Sequence, residues 1–156
     1  DLAGLMVVRP RPDSLLSYWV DGSGDVRQYH ADHARRWIAE HERRLQSTSD
    51  DTKRELRVPR RNQRQVTARR QTWARKYRAR MDTLAHQVSV YLANFAARKR
   101  VASVVFQQAE NALPSFPWHL LQERLRYKLE DRGISLVIAS GSGPADEAGT
   151  ARAGQK

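Results

Sequence analysis

Apolar residues fall into short runs at the two ends of the chain and recur every three or four positions through its middle. Leu5–Val8 and Leu15–Val20 have the length and the aliphatic and aromatic content of strands, and Pro10, Pro12 and Asp13 mark a turn between them. Asp21-Gly22-Ser23-Gly24 is a hairpin signal that leads to a short strand over Val26–Tyr29. Asp32 suits an N-cap. The helix that follows carries Ala34, Trp37, Ile38, His41 and Leu45 on one face and is expected to end in the polar run Ser47–Asp51. A longer helix is predicted from Thr67 to Ala97. Its stripe is Trp73, Tyr77, Met81, Leu84, Val88, Tyr91 or Leu92, and Phe95, and the spacing assigns all four aromatic residues to packing. Arg98, Lys99 and Arg100 complement the helix dipole at its end.

Val101–Phe106 reads as a buried central strand, and Asn111–Pro117 as a loop. Pro117 opens a helix with a stripe of Trp118, Leu121, Leu125 and Leu129; here too packing is the expected role of Trp118. Gly133 is placed to cap that helix, and Ile134–Ala139 is a second buried strand. The order implies an α/β fold with a mixed sheet flanked by helices. The N-terminal strands pair antiparallel, and the strand at Val101 joins parallel to its neighbour after a helical crossover. Residues 1–140 are expected to form one domain that contains a helical basic insertion at 31–97. Residues 141–156, rich in Gly, Ser and Ala, are expected to be a tail or linker. No internal repeat is present.

Charge sharpens the picture. Residues 53–80 hold twelve basic side chains and one acid, Glu55, so the whole formal charge of +11 sits in that segment. A solvated helix face mixes signs; this one does not, and the excess points to a polyanionic partner. Arg57, Arg60, Arg61, Arg64, Arg69, Arg70, Arg75, Lys76 and Arg78 are the candidate nucleic-acid contacts. The chain has no cysteine, which removes disulfides, thiolate chemistry and Cys-based zinc sites and fits a reducing, cytoplasmic setting. No apolar run approaches a membrane span, no leader pattern is visible, and no membrane partner is expected. His33 and His41 are eight residues apart and lack a third ligand at zinc spacing. A first residue other than Met suggests a piece of a longer chain.

The stretch VASVVFQQAENALPSFPWHLLQERLRYKLEDRGISLVIAS, from Val101 to Ser140, resembles the second RuvC motif region of TnpB-type transposon nucleases and of type V CRISPR effectors. Trp118, Leu121, Leu125, Tyr127, Lys128, Gly133 and Ile134–Ile138 occupy the places of that region's helix and strand. The resemblance extends over roughly residues 20–140, with about 40 residues of motif content. It implies an RNase H-like (RuvC) domain with a long basic helical insertion. It also implies guide RNA, target DNA and other domains or chains of the effector as partners, and Mg²⁺ or Mn²⁺ as cofactor if the site is active.

The same resemblance places Gln107 where the family carries a catalytic Glu, with Glu110 as a possible substitute. Asp1-Leu2-Ala3-Gly4 is similar to the family's first Asp motif, which makes Asp1 the candidate metal ligand. The family's third acid lies beyond a Cys-rich ribbon that this chain does not contain. Two-metal catalysis needs a cluster of carboxylates around ions about 3.5–4 Å apart. Gln has nearly the shape of Glu without its charge, so the expectation is a nucleic-acid-binding module with an incomplete catalytic site. The alternatives are an active metal-dependent DNA endonuclease and an unrelated basic RNA-binding α/β protein.

Overall fold

The structure is a computed structural model. It describes residues 4–54, 60–108, 112–113 and 115–139; for residues 48–54, 60–63 and 66 the description is of the backbone alone. The order of elements is β1 (Leu5–Pro10), β2 (Leu16–Val20), β3 (Arg27–Tyr29), α1 (Asp32–Arg54), α2 (Arg60–Arg98), β4 (Ser103–Gln107), α3 (Trp118–Glu130) and β5 (Ser135–Ala139).

The five strands form one sheet in the order β3-β2-β1-β4-β5. β1 pairs antiparallel with β2, and β2 with β3. β4 lies parallel to β1 on one side and to β5 on the other. This is the mixed, helix-flanked sheet expected from the order of elements. Hydrophobicity explains the centre. Met6 and Val8 of β1 register with Val104 and Phe106 of β4, and all four are at most 1% exposed. Leu136 and Ile138 of β5 continue the same rows.

The chain divides into two compact units. The first comprises Asp1–Ala31 and Ala85–Lys156, and the second Asp32–Leu84. In the first unit, the α2 residues after Leu84 bury Val88, Leu92, Phe95 and Ala96. Tyr18 of β2 meets Phe95 and Tyr91 edge-on at 4.8 and 5.6 Å, and the Tyr18 and Tyr91 hydroxyls hydrogen-bond. α3 packs on β5 through a stripe in which Leu121, Leu125 and Leu129 are fully buried.

Two sequence expectations change. α1 continues to Arg54 and α2 begins at Arg60, so the helices run through most of the polar stretch assigned to a connection. Ser47–Asp51 contains neither Gly nor Pro, and polarity alone does not end a helix. Tyr91 is 37% exposed, and the buried position in that turn belongs to Leu92.

The ends of α2 and α3 use the same device with different residues. After α3, Gly133 has φ 72°, and the Ile134 amide donates to the Leu129 carbonyl at 2.9 Å. After α2, Arg100 has φ 56°, and the Val101 amide donates to the Ala96 carbonyl at 3.3 Å. This closure needs a left-handed residue, which glycine adopts without the roughly 1–2 kcal/mol that a Cβ adds. Arg100→Gly should therefore raise the stability of the chain by up to about 1 kcal/mol and Gly133→Ala should lower it by about 1–2 kcal/mol, as read by thermal or urea unfolding.

Candidate nucleic-acid interface

The first site lies at the carboxyl end of the central strands. β1 and β4 run side by side from the Leu5–Ser103 pair to the Val8–Phe106 pair. One residue further, Arg9 and Gln107 meet: Arg9 Nε donates to Gln107 Oε1 at 2.7 Å. Gln107 is the last residue of β4 and only 4% exposed. Burial, and then the charge of Arg11, lower the pKa of Arg9 from the ordinary guanidinium value. A guanidinium nonetheless stays charged across the range in which proteins are folded.

A cavity of about 320 Å³ opens beside this pair, lined by Pro10, Phe106, Gln107, Gln108, Ala112, Trp118, His119 and Gln122. The carboxyl ends of parallel strands are where open α/β sheets hold ligands. Trp118 is fixed by donation from its Nε1 to the Leu113 carbonyl at 3.0 Å and by ring contacts with Phe116 and Phe106 at 4.6 and 6.3 Å. The packing role expected for Trp118 is thus present. Of the residues that the family resemblance singled out, Gln107 stands at the strand end, while Asp1 and Glu110 lie outside the described residues. Among the described residues no three His, Asp or Glu side chains come together as a metal-binding group.

The second site lies within Asp32–Leu84. α1 and α2 cross-link here in antiparallel order. Arg80 sits over the Trp37 ring at 5.3 Å, His41 stacks on Tyr77 at 3.8 Å, and Arg44 sits over Trp73 at 4.2 Å. These residues, with Glu40 and Lys76, line a cleft of about 180 Å³. Glu40 accepts from Arg44 Nη2 at 2.8 Å, and that hydrogen bond lowers the carboxyl pKa below its usual range. One cation is therefore offset within the cleft, and Lys76 and Arg80 remain exposed at its wall. Tyr77 stays a neutral phenol because burial, reinforced by the charge of Glu42, raises its pKa.

The predicted basic contacts extend from this cleft along α2. Arg64, Arg69, Arg75, Lys76 and Arg78 are exposed, and Arg70 is half-buried. Arg60 and Arg61 are on the helix, described by backbone alone, and Arg57 lies outside the described residues. Assigning Trp73 to the core requires correction: it is 37% exposed. α1 meets that part of the stripe with His41 and Arg44 instead of aliphatic side chains, so the aromatic rings become platforms for cations at the surface.

Reading the sequence missed Trp37, Glu40 and Arg44 as site residues, although their spacing of three and four along α1 matches the stripe that they face. It also missed Arg9. Aligning LMVVRP beside SVVFQ as parallel neighbours would have placed Arg9 opposite Gln107.

No protein-family model matches the chain, and no curated protein matches it significantly. Solved structures do match. A cryo-EM structure of a Cas12f1–sgRNA–target DNA complex aligns with a TM-score of 0.64 at 12% identity, covering 89% of this chain and 36% of that one. A cryo-EM structure of a CRISPR-Cas12f ternary complex aligns with a TM-score of 0.71 at 13% identity, covering 90% of this chain and 30% of that one. The chain thus spans about a third of the length of these Cas12f chains and shares their fold.

A surface platform and a core residue answer differently to truncation. Trp73→Ala should lower unfolding free energy by about 1 kcal/mol, from the lost Arg44 contact and partial burial. Leu84→Ala, at a residue 1% exposed, should cost about 2–5 kcal/mol in the same denaturation experiment.

Proposed function

We propose that this chain is a nucleic-acid-binding, RuvC-like module of an RNA-guided DNA-targeting effector, and that it holds nucleic acid without cutting it. Guide RNA, target DNA and other parts of the effector are its partners in this reading. The Arg9–Gln107 hydrogen bond carries the reading. A two-metal nuclease needs anionic oxygen ligands where charge develops. Here the two adjoining strand ends present a guanidinium and a neutral amide. At an effective dielectric of about 20, a divalent cation about 4 Å from a fixed positive charge is opposed by about 8 kcal/mol. The described residues therefore do not fit Mg²⁺ or Mn²⁺ at this edge.

The basic face of α2 supports the binding half of the proposal. Its cations sit on one continuous helix of 39 residues, about 58 Å long at 1.5 Å per residue. Such a row suits a phosphate backbone, whose recognition is blind to sequence and sensitive to salt. The Cas12f1 chain of similar fold is seen in a complex with sgRNA and target DNA, which supports the same class of ligand for this chain.

Fluorescence anisotropy with an RNA–DNA hybrid and with single-stranded DNA tests the binding half. The logarithm of the affinity should fall linearly with the logarithm of salt, and replacing Arg69, Arg75, Lys76 and Arg78 together by Ala should reduce that slope by about 3. A slope unchanged by the fourfold substitution would remove α2 as the interface. A cleavage assay in Mg²⁺ and Mn²⁺ tests the other half. The unaltered chain should leave both substrates intact, and so should Gln107→Glu, because the new carboxylate pairs with Arg9 instead of a metal. Metal-dependent cutting by the unaltered chain would overturn the proposal.

A further inference from the structure

We infer that the cavity at the carboxyl end of β1 and β4 receives a single unpaired nucleobase. The inference rests on the nucleic-acid reading above and names what this particular cavity takes from the strand.

Charge narrows the ligand first. None of the eight described lining residues is Lys, Arg, Asp or Glu, so the part of the ligand that meets them needs no charge. Arg9 stands next to the cavity, but its Nε is committed to Gln107 and it makes further interactions. His119 pairs with Glu123 at 2.9 Å on the outer face of α3. A phosphate would find no free cation among these groups, and a metal ion no anion.

Shape and polarity narrow it further. Trp118 supplies an aromatic wall and is held in one orientation by its hydrogen bond to the Leu113 carbonyl. A fixed ring spends little conformational entropy on meeting a second ring. Three primary amides, those of Gln107, Gln108 and Gln122, share the same lining. A primary amide offers one donor and one acceptor side by side, the arrangement that pairs with the edge of a base.

Gln122 is the most telling of the three. It is 7% exposed and lines the cavity, and its side chain has no hydrogen-bond partner among the described residues. The Gln122 amide is not among the buried side-chain atoms without a partner, so it reaches solvent through the cavity, and a ligand with both donor and acceptor atoms replaces that water. An aromatic heterocycle with a polar edge meets every one of these conditions. A base in a duplex presents neither its face nor its pairing edge, so the base that enters is unpaired.

The test compares a short single-stranded DNA with an abasic strand of the same length, using the full chain and fluorescence anisotropy. The strand with bases should bind about tenfold or more tightly than the abasic one, the gain expected for burying one stacked base. Gln122→Leu should bring the first strand down to the abasic level and leave the abasic affinity unchanged. Gln108→Ala, at an exposed position that does not endanger folding, should weaken only the strand with bases. Thermal melting of each variant identifies any loss that comes from misfolding. Equal binding of the two strands, or a Gln122→Leu variant that melts normally and still prefers bases, would overturn the base pocket and leave the nucleic-acid reading intact. Failure of both strands to bind would overturn both.

Discussion

The parallel pairing of β1 with β4 is the constraint on which the other features depend. These strands adjoin in the sheet, yet the whole of β2, β3, α1 and α2 lies between Leu5 and Ser103 in sequence. A parallel pair cannot be closed by a tight turn and requires a long connection. Here that connection carries the basic helical segment. The same pairing fixes the register that brings Arg9 to Gln107, so one backbone constraint both accommodates the charged helices and determines the chemistry at the strand ends.

Core and charge are kept apart along the chain. The sheet unit holds the buried aliphatic rows of β1 and β4 and the leucine stripe of α3. The unit from Asp32 to Leu84 carries most of the unbalanced positive charge, and its aromatic residues serve it in an unusual way. Trp37, Trp73 and Tyr77 do not form a sealed core; each is paired with Arg80, Arg44 or His41 at the surface. Cation–π pairs of this sort hold side chains in place without neutralising them. Of these cations, Arg44 is also offset by Glu40, and Arg80 stays exposed at the cleft wall.

Most of the fold is legible in the sequence because its determinants are local. The runs Leu5–Val8 and Val101–Phe106, the turn residues around Gly22 and the stop at Gly133 each act within a few residues. The ends of α1 and α2 were misplaced because a polar run such as Ser47–Asp51 resembles a loop in composition while remaining competent for helix. The candidate site was only half legible. Gln107 could be found from a motif, but its partner Arg9 is 98 residues away and enters only through strand register. Trp73 was misread for a related reason: a stripe shows which positions face a neighbour, not whether that neighbour is apolar.

The proposal that an arginine–glutamine pair leaves no place for a metal at the strand ends is most directly examined by titrating the chain with Mn²⁺ and following the backbone amide of residue 107 by NMR. The paramagnetic ion broadens resonances close to where it binds. Selective broadening should be absent at the backbone amide of position 107 in the native chain and should appear there only when Arg9→Asp and Gln107→Glu are combined. Saturable, selective broadening at Gln107 in the unaltered chain would contradict the assignment and restore a metal to the carboxyl end of the sheet.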